Sequence, residues 1–507
     1  MRVLLILPRF PKSFWTYDKT MQLIGKKSGL PPLGLITVAA LLPQDWEFKL
    51  VDRNIREITE AEWEWADMAM LSAMVVQKKD FLAQAKAAKQ RGKKVAVGGP
   101  YATSFYPDIM HNTDIDYWVL DEGEMTIPTF LAALERDESK GVFRSTEKPD
   151  VTQTPIPRYD LLELDAYADM SIQFSRGCPF LCEFCDIITL YGRKPRTKTP
   201  EQMLRELDCL YELGWRGNVF MVDDNFIGNK RNVKQFLEVL KGWMEAKKYP
   251  FVFYTEASVD LARHPDLMSA MVECNFDFVF IGLETPDEAS LAQIKKSQNL
   301  KEPLSESITT IKNAGIQVMA GFIIGFDGEQ AGAGKRIVQF IEDTAIPIAM
   351  FTLLQALPNT ALWDRLHKEQ RLMPGGDINQ TSLINFVPTR PSTEIADEYV
   401  EAFWQLYEPK QYLQRTYRHF MQMGNLKHRH LESMPFGWGE FKLLLRVLWL
   451  HGVVHQTRWD FWRYLYKIAR FNGNLIPDYF VLCAAMEHFV DFRQMVREQI
   501  TTQLKNA

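Results

Sequence analysis

The sequence has no run of about 18 uncharged apolar residues, so no segment is expected to span a membrane as a helix. Its first apolar stretch, residues 3–7, meets Pro8 and is too short for an export signal, which makes the cytoplasm the expected location. Cysteine is scarce, with six in 507 residues. That number excludes a disulfide scaffold, which a reducing cytoplasm disfavours in any case. Gly (28) and Pro (26) are too few for a collagen-like or low-complexity chain, and 46% apolar residues is the content of a globular protein with filled cores. Neither sign of charge dominates: a net −5 gives the chain as a whole no footprint for nucleic acid. No internal repeat is present. No G-x-G-x-x-G follows the first apolar run, and a phosphate loop at Gly334-Lys335 fails because Glu329 and Arg336 stand where Gly and Ser/Thr are required.

What the sequence does have is alternation. Residues 3–7, 48–52, 68–73, 94–99 and 115–120 read as short buried strands separated by helices such as 80–91, which predicts a parallel α/β, Rossmann-like domain over 1–140. Residues 141–170 are polar, carry Pro149, Pro155 and Pro157, and read as a linker. A second series of strands, at 171–175, 218–223, 251–256, 277–283, 317–324 and 346–354, predicts a partial (β/α)6 barrel over 171–385. Thr199-Pro200 signals one helix start, and Ser305 another, closed by Gly315. Residues 386–507 read as an α-helical C-terminal domain rich in Trp, Phe and Tyr. Within it, residues 411–507 hold thirteen Lys/Arg against seven Asp/Glu.

Three of the six cysteines crowd into Cys178-Pro-Phe-Leu-Cys182-Glu-Phe-Cys185, directly after a predicted strand. Structural zinc usually takes four protein ligands, and no further Cys or His follows at a ribbon spacing. Three thiolates can instead hold three irons of a [4Fe–4S] cluster and leave the fourth iron open. From the residues alone, structural zinc or a chance grouping remains the alternative. Cys209, Cys274 and Cys483 lack such company and read as ordinary buried thiols. Polar groups stand at later strand ends: Asp223-Asp224, Glu256 with Ser258, and Glu284. They would serve ammonium or ribose groups, or simply cap helices. Gly321 and Gly325 allow close backbone approach, or serve strand packing. The basic turn 192–198 would fix the cysteine loop or stand in solvent.

The cysteine spacing after a first barrel strand resembles the radical S-adenosylmethionine (SAM) superfamily. The resemblance implies cluster ligation by Cys178, Cys182 and Cys185. It implies SAM contacts from Phe184, Asp223, Asp224, Glu256, Ser258, Glu284, Gly321 and Gly325. A parallel domain ahead of such a barrel resembles the cobalamin-binding class. The matching segments are Pro31-Pro32-Leu33-Gly34-Leu35, Val51-Asp52, Ser72-Ala73-Met74, Gly98-Gly99-Pro100 and Asp121-Glu122-Gly123-Glu124, each at or beside a strand end. The cobalamin contacts so implied are Leu33, Gly34, Asp52, Ser72, Met74, Gly98, Gly99, Pro100, Glu122, Gly123 and Glu124. The D-x-H-x-x-G that supplies a cobalt-ligating His in many such domains is absent, which leaves Gln77 as a weak candidate.

SRGCPFLCEFCDIITLYGRKPRTKTPEQM, FMVDDNFIGNK, IGLETPD and LLQALPNTALWDRL are similar to a narrower group with a helical C-terminal extension, the group that includes the hopanoid C-2 methylase. That group implies a C-methyltransferase acting on an unactivated carbon of a small-molecule or lipid substrate through a 5′-deoxyadenosyl radical. Its electron donor would be a flavodoxin or ferredoxin. A cobalamin-dependent rearrangement or oxidative cyclisation, and a non-catalytic cluster and cobalamin sensor, are the rival readings. In the tail, Trp438, Trp449, Trp459 and Trp462 mix with Arg446, Arg458, Arg463, Lys467 and Arg470. Such a mixture docks a helix on an anionic membrane, peripheral to the inner face, or forms a cap with snorkelling basic side chains.

Overall fold

The computed structural model describes residues 1–373, 375, 377–423 and 438–506, which divide into two units. The first comprises Met1–Lys12, Lys27–Pro179 and Asp186–Arg216; the second comprises Ser13–Lys26, Phe180–Cys185 and the chain from Gly217 onward.

In the first unit six parallel strands lie in the order Glu47–Asp52, Arg2–Leu7, Met68–Ser72, Lys94–Gly98, Tyr117–Val119, Gly141–Phe143. Val3, Leu4, Leu5 and Ile6 are all fully buried. Leu4 and Ile6 pack with Trp63, Phe81 and Tyr101, whereas Val3 and Leu5 pack with Leu35, Tyr117 and Phe130. Both faces of the sheet are covered, so the strand is apolar at every position instead of at alternate ones. The strand order reverses between Arg2–Leu7 and Met68–Ser72, and the crevice beyond their C-terminal ends is where doubly wound sheets bind ligands.

One strand of this sheet was not foreseen. Gly141–Phe143 falls in the segment read as a linker, yet it pairs with Tyr117–Val119. Three residues with an exposed Val142 carry too little pattern to be recognised. The same segment buries Tyr159 and Tyr167, whose hydroxyls donate to the Ser171 carbonyl at 2.9 Å and to Asp52 at 3.1 Å.

In the second unit, Gly217–Met221, Phe251–Glu256, Phe276–Glu284, Gln317–Ile324 and Ala349–Leu353 pair in parallel, each with the next in the chain. The strand expected at 171–175 forms Met170–Ile172, whose residues belong to the first unit. One set of alternating residues (Val219, Met221, Phe253, Val279, Ile281, Val318, Phe322) is buried, while the other (Phe220, Tyr254, Glu256, Phe278, Phe280, Met319, Met350) stays partly exposed. Cross-strand registry stacks Phe220 on Tyr254 and Tyr254 on Phe278, with ring centroids 4.7 and 4.4 Å apart.

Thr199 caps the helix Pro200–Glu212 as expected, accepting from the Gln202 N–H at 3.2 Å. The expectation for Ser305 is corrected. The helix spans Leu304–Asn313, the Pro303 carbonyl accepts its first N–H groups from Glu306 and Ser307, and Ser305 lies inside. Beyond the strands come Ser392–Leu406, Pro409–Gln422, Trp438–Trp449, Arg458–Phe471 and the 31-residue helix Ile476–Asn506. Among the described residues no helix is long and apolar enough to cross a membrane.

Candidate active site

The cysteine loop is braced in each unit. In the first, Gly177 has φ +95°, and a Cβ there would lie 2.8 Å from the Gly192 carbonyl oxygen and 3.1 Å from that of Lys194. Only glycine fits this approach. The Cys178 N–H donates to the same Gly192 carbonyl at 3.3 Å. The basic turn is therefore built into the protein: Arg196 donates to Glu122 and the Pro149 carbonyl, each at 2.8 Å, and buried Lys198 pairs with buried Glu206.

In the second unit Glu183, between Cys182 and Phe184, is held through every polar group. Its N–H donates to the Ile294 carbonyl at 3.2 Å, its carbonyl accepts from the Leu362 N–H at 2.8 Å, and its carboxylate takes Arg365 at 2.9 and 3.3 Å. Arg365 reaches on to Asp327 at 2.7 Å, and Asp327 also binds Arg371 at 2.6 Å. Cys182 is buried, and the Gln298 amide nitrogen lies 3.7 Å from its Sγ. Lys296 pairs with Glu284. Burial pulls its ammonium down, but Glu284 and the charge of Cys182 outweigh that and hold it above its ordinary value. Its Nζ lies 5.8 Å from the centre of the Phe184 ring. Sequence reasoning missed Lys296, Gln298 and Arg365.

At the strand ends the carboxylates crowd. Glu256 keeps some exposed surface; burial and then the charges of Asp224 and Asp223 push its carboxyl up to about 8. Glu284 sits at φ +65°, a conformation that costs a non-glycine residue about 1–3 kcal/mol unless its surroundings impose it. The Lys296 pair and the neighbouring Gly282 do so: a Cβ on Gly282 would lie 2.5 Å from the Glu284 Oε1. Ser258 is turned into the protein, bonding Asp260 and, at 3.3 Å, the Asn225 side-chain oxygen. The glycines open toward side chains. A Cβ on Gly321 would meet the Phe280 ring at 2.8 Å, and one on Gly325, at φ +107°, would meet Ile384 at 2.7 Å.

In the first unit the predicted residues stand at or just beyond the strand ends and are engaged with protein groups, except Leu33 and Gly34, which were expected beside a strand end and instead open a helix between the first two strands of the chain. Buried Asp52 accepts from Asn54 at 2.7 and 2.8 Å as well as from Tyr167, while burial pushes its carboxyl upward. Gln77 accepts from the Met74 N–H at 2.9 Å and donates to the Pro8 carbonyl, so both ends of its amide are taken. Glu122 holds Arg176 at 2.9 Å and Arg196 at 2.8 Å, and Glu124 holds Arg176 at 2.9 Å. Gly98 and Gly99 admit the Val119 carbonyl and the Ser72 hydroxyl, 2.6 and 2.1 Å from where Cβ atoms would lie. Pro100 begins the helix Gly99–Ile109, Leu33-Gly34 begins Leu33–Leu41, and Gly123 begins Gly123–Glu135. Met74, 54% exposed after Met68–Ser72, presents an apolar side chain beside the topological switch.

Residues 172–341 match the model of the Radical SAM superfamily, 27–131 the B12 binding domain, and 360–502 the Domain of unknown function (DUF4070). The "Uncharacterized methyltransferase sll1242" of Synechocystis sp. is 59% identical over 508 residues, covering 100% of this chain and 94% of that protein. The hopanoid C-2 methylase of Rhodopseudomonas palustris is 37% identical over 420 residues, covering 82% and 78%. The chain belongs to the cobalamin-dependent radical SAM methyltransferases. Its cofactors are a [4Fe–4S] cluster, SAM and cobalamin. In fold it is similar to the cobalamin-dependent SAM radical enzyme OxsB, at a TM-score of 0.61 and 16% identity, covering all of this chain and 80% of that one.

The residues present suit these groups. A buried thiol beside a donating amide and a lysine suits a thiolate-held cluster, and the acidic recess at Glu256 suits a cationic ligand. The switch-point crevice with exposed Met74 suits a large, partly apolar cofactor.

Proposed function

We propose that the protein methylates an unactivated carbon of a polycyclic membrane lipid of the hopanoid kind, working in the cytoplasm at the membrane surface. The observation that carries this reading is the partly exposed sheet face in the second unit. Phe220, Tyr254, Phe278, Phe280, Met319 and Met350 form an apolar floor that ends at the carboxylates of Glu256, Asp223 and Asp224. A flat hydrocarbon skeleton fits an aromatic floor with little loss of conformational freedom. The 37% identity to the hopanoid C-2 methylase supports the same substrate class.

The cofactors, once one electron arrives from a flavodoxin or ferredoxin, supply radical hydrogen abstraction and the methyl group. The protein's own residues bind and orient. Cys178, Cys182 and Cys185 ligate the cluster, and Lys296 and Gln298 offset thiolate charge around Cys182. Glu256, with Asp223 and Asp224, accepts hydrogen bonds from the SAM ammonium and ribose, releasing the proton that Glu256 carries near neutral pH. The Glu284–Lys296 pair fixes the strand end, and Phe184 stands by the adenine. Ser258, Gly321 and Gly325 shape the recess through the neighbours they hold. In the first unit Met74, Ser72 and the backbone of Gly98, Gly99 and Pro100 border cobalamin, with Leu33, Gly34 and Gly123 at nearby helix starts. Asp52, Gln77, Glu122 and Glu124 keep that border rigid. The rival non-methylating chemistry would use the same residues, so product analysis separates the two.

The helix Arg458–Phe471 supports membrane contact. It buries Phe461, Tyr464 and Ile468, while Trp459 (74% exposed), Trp462 (42%) and Tyr466 (63%) face outward among Arg463, Lys467 and Arg470. Trp449 is 63% exposed on the preceding helix; the Trp438 side chain lies outside the described residues.

Anaerobically reconstituted enzyme, given SAM, a reductant and the unmethylated lipid in anionic vesicles, is expected to form methylated lipid with 5′-deoxyadenosine and S-adenosylhomocysteine in equal amounts. Deoxyadenosine with no S-adenosylhomocysteine would sink methyl transfer. Both products from a soluble substrate but none from any lipid would sink the lipid assignment. Equal sedimentation with neutral and anionic vesicles would remove the basic membrane face.

A further inference from the structure

Away from the cysteine loop, one group of three metal-ligating side chains occurs among the described residues: His451, His455 and Glu487, whose donor atoms all lie within 4.8 Å of one another. His451 is completely buried, and neither of its ring nitrogens makes a hydrogen bond within the protein. Buried polar groups are almost always partnered, so this imidazole calls for an explanation. Its Nε2 lies 3.4 Å from Glu487 Oε1, and His455 Nε2 lies 2.8 Å from the same oxygen.

The backbone that presents the two histidines is itself unusual. Leu450–Val454 is a π-helical turn, closed by the His455 N–H donating to the Leu450 carbonyl at 2.9 Å. Such turns are rare and concentrate at functional sites. This one is held from outside: Trp462 Nε1 donates to the Gly452 carbonyl at 2.9 Å, and its ring fills the space a Gly452 side chain would need, 2.8 Å from the Cβ position. Glu487 comes from the long helix Ile476–Asn506.

We propose that His451, His455 and Glu487 bind a divalent transition-metal ion of the zinc class, with a fourth position open to water or a further ligand. Two imidazoles and one carboxylate are a recurrent zinc donor set in sites that keep an open position. Donors about 2.0–2.1 Å from a tetrahedral ion stand roughly 3.3 Å apart, so the 2.8 and 3.4 Å to Glu487 Oε1 require shifts of a few tenths of an ångström, and the two imidazole donors, within 4.8 Å of each other, would draw together by side-chain rotation. His455 and Glu487 keep partial exposure, 32% and 20%, which opens the site to solvent on one side. The ion would tie the π turn to the final helix. This site is independent of the cluster and of the methyl-transfer reading.

The test uses full-length enzyme with its cluster and cobalamin loaded, so that the motif cysteines are occupied. Zn²⁺ is titrated calorimetrically, and Co²⁺ is followed by absorption. The expected result is one tight equivalent per chain, with visible Co²⁺ bands but no thiolate charge-transfer band. Glu487→Gln and His451→Gln are expected to weaken binding at least about tenfold. Zinc is also expected to raise the thermal midpoint of the wild type and leave that of Glu487→Gln unchanged. Should a buried substitution prevent folding, His455→Gln at the partly exposed position gives the same readout. No saturable binding, binding unchanged in the folded variants, or a thiolate band would each overturn the proposal.

Discussion

Carboxylates stand at or just beyond parallel strand ends in both units and, apart from Glu284, which pairs with Lys296, the two sets are treated in opposite ways. In the first, Glu122 and Glu124 are locked to Arg176 and Arg196, and Asp52 is covered by Asn54 and Tyr167. In the second, Glu256 is set beside Asp224 and Asp223, close enough that their charges help push its carboxyl up to about 8. Paired carboxylates make a rigid border, which is what the proposed cobalamin site calls for. Crowded carboxylates store a repulsion that a cation relieves, which is binding free energy held ready for a positively charged ligand.

Breaking a pair in the first unit should have the largest effect. Glu122→Ala leaves Arg176 and Arg196 without their shared anion, and both guanidinium groups are mostly buried. Removing one partner of such a buried network typically costs about 3–5 kcal/mol. The expected result, read by denaturant unfolding, is a loss of that size, with cobalamin binding impaired as a consequence. A change under about 1 kcal/mol would mean that the network contributes little to the fold.

The matching change in the second unit should act the other way on stability. Ligand-free folded protein retains a proton on Glu256 up to about pH 8, whereas the unfolded chain releases it near the ordinary carboxyl value of 4.5. The group's favourable contribution is therefore complete below pH 4.5, is lost as pH rises toward 8, and is level above that. Glu256→Gln cannot ionise, so the ligand-free variant should match the wild type at pH 5 and exceed it at pH 8.5. SAM binding should show the complement. Wild-type affinity should rise by up to about tenfold per pH unit between 6 and 8, since the role proposed for Glu256 requires the ionised carboxylate. The variant should bind about tenfold more weakly at pH 8, with a flat profile. Parallel profiles would remove Glu256 from the SAM site.

This contrast between paired and crowded carboxylates was only half legible in the sequence. Arg2–Leu7 declares itself because a sheet covered on both faces needs an unbroken apolar run, and Phe251–Glu256 because its partly exposed face is aromatic as well; the polar residues that end both stand out. The cysteine triad is a local spacing and reads directly. Lys296, Gln298 and Arg365 were invisible: Gln298 meets Cys182 across 116 positions and Arg365 meets Glu183 across 182, and no local pattern encodes such partners. Gly141–Phe143 was too short to show any period. Ser305 misled because the Pro303 carbonyl begins that helix. Thr199, by contrast, caps its helix as its sequence signals, and Thr199→Ala should cost about 1 kcal/mol without altering turnover per folded molecule.

The smallest effect expected is also the most selective test of the proposed cluster site at Cys182. The Gln298 amide nitrogen faces Cys182 Sγ at 3.7 Å, while its Oε1 is buried without a hydrogen-bond partner in the protein. Gln298→Leu keeps much of the side-chain volume, removes the donor and also removes the unsatisfied oxygen. Stability should therefore stay near that of the wild type, because the loss of one long donor contact to Cys182 Sγ is offset by removal of a buried unsatisfied oxygen. A donor to a thiolate sulfur favours the more negative, reduced cluster, so its loss should lower the reduction potential. A net hydrogen bond of about 0.5–1.5 kcal/mol corresponds to roughly 20–60 mV for one electron. Spectroelectrochemical titration of reconstituted wild type and variant reads that shift directly, and deoxyadenosine formation with a weak reductant should fall several-fold in step with it. A variant that loses thermal stability at an unchanged potential would make Gln298 a packing residue. A lowered potential in a fully stable variant would show that the amide acts on the cluster through Cys182.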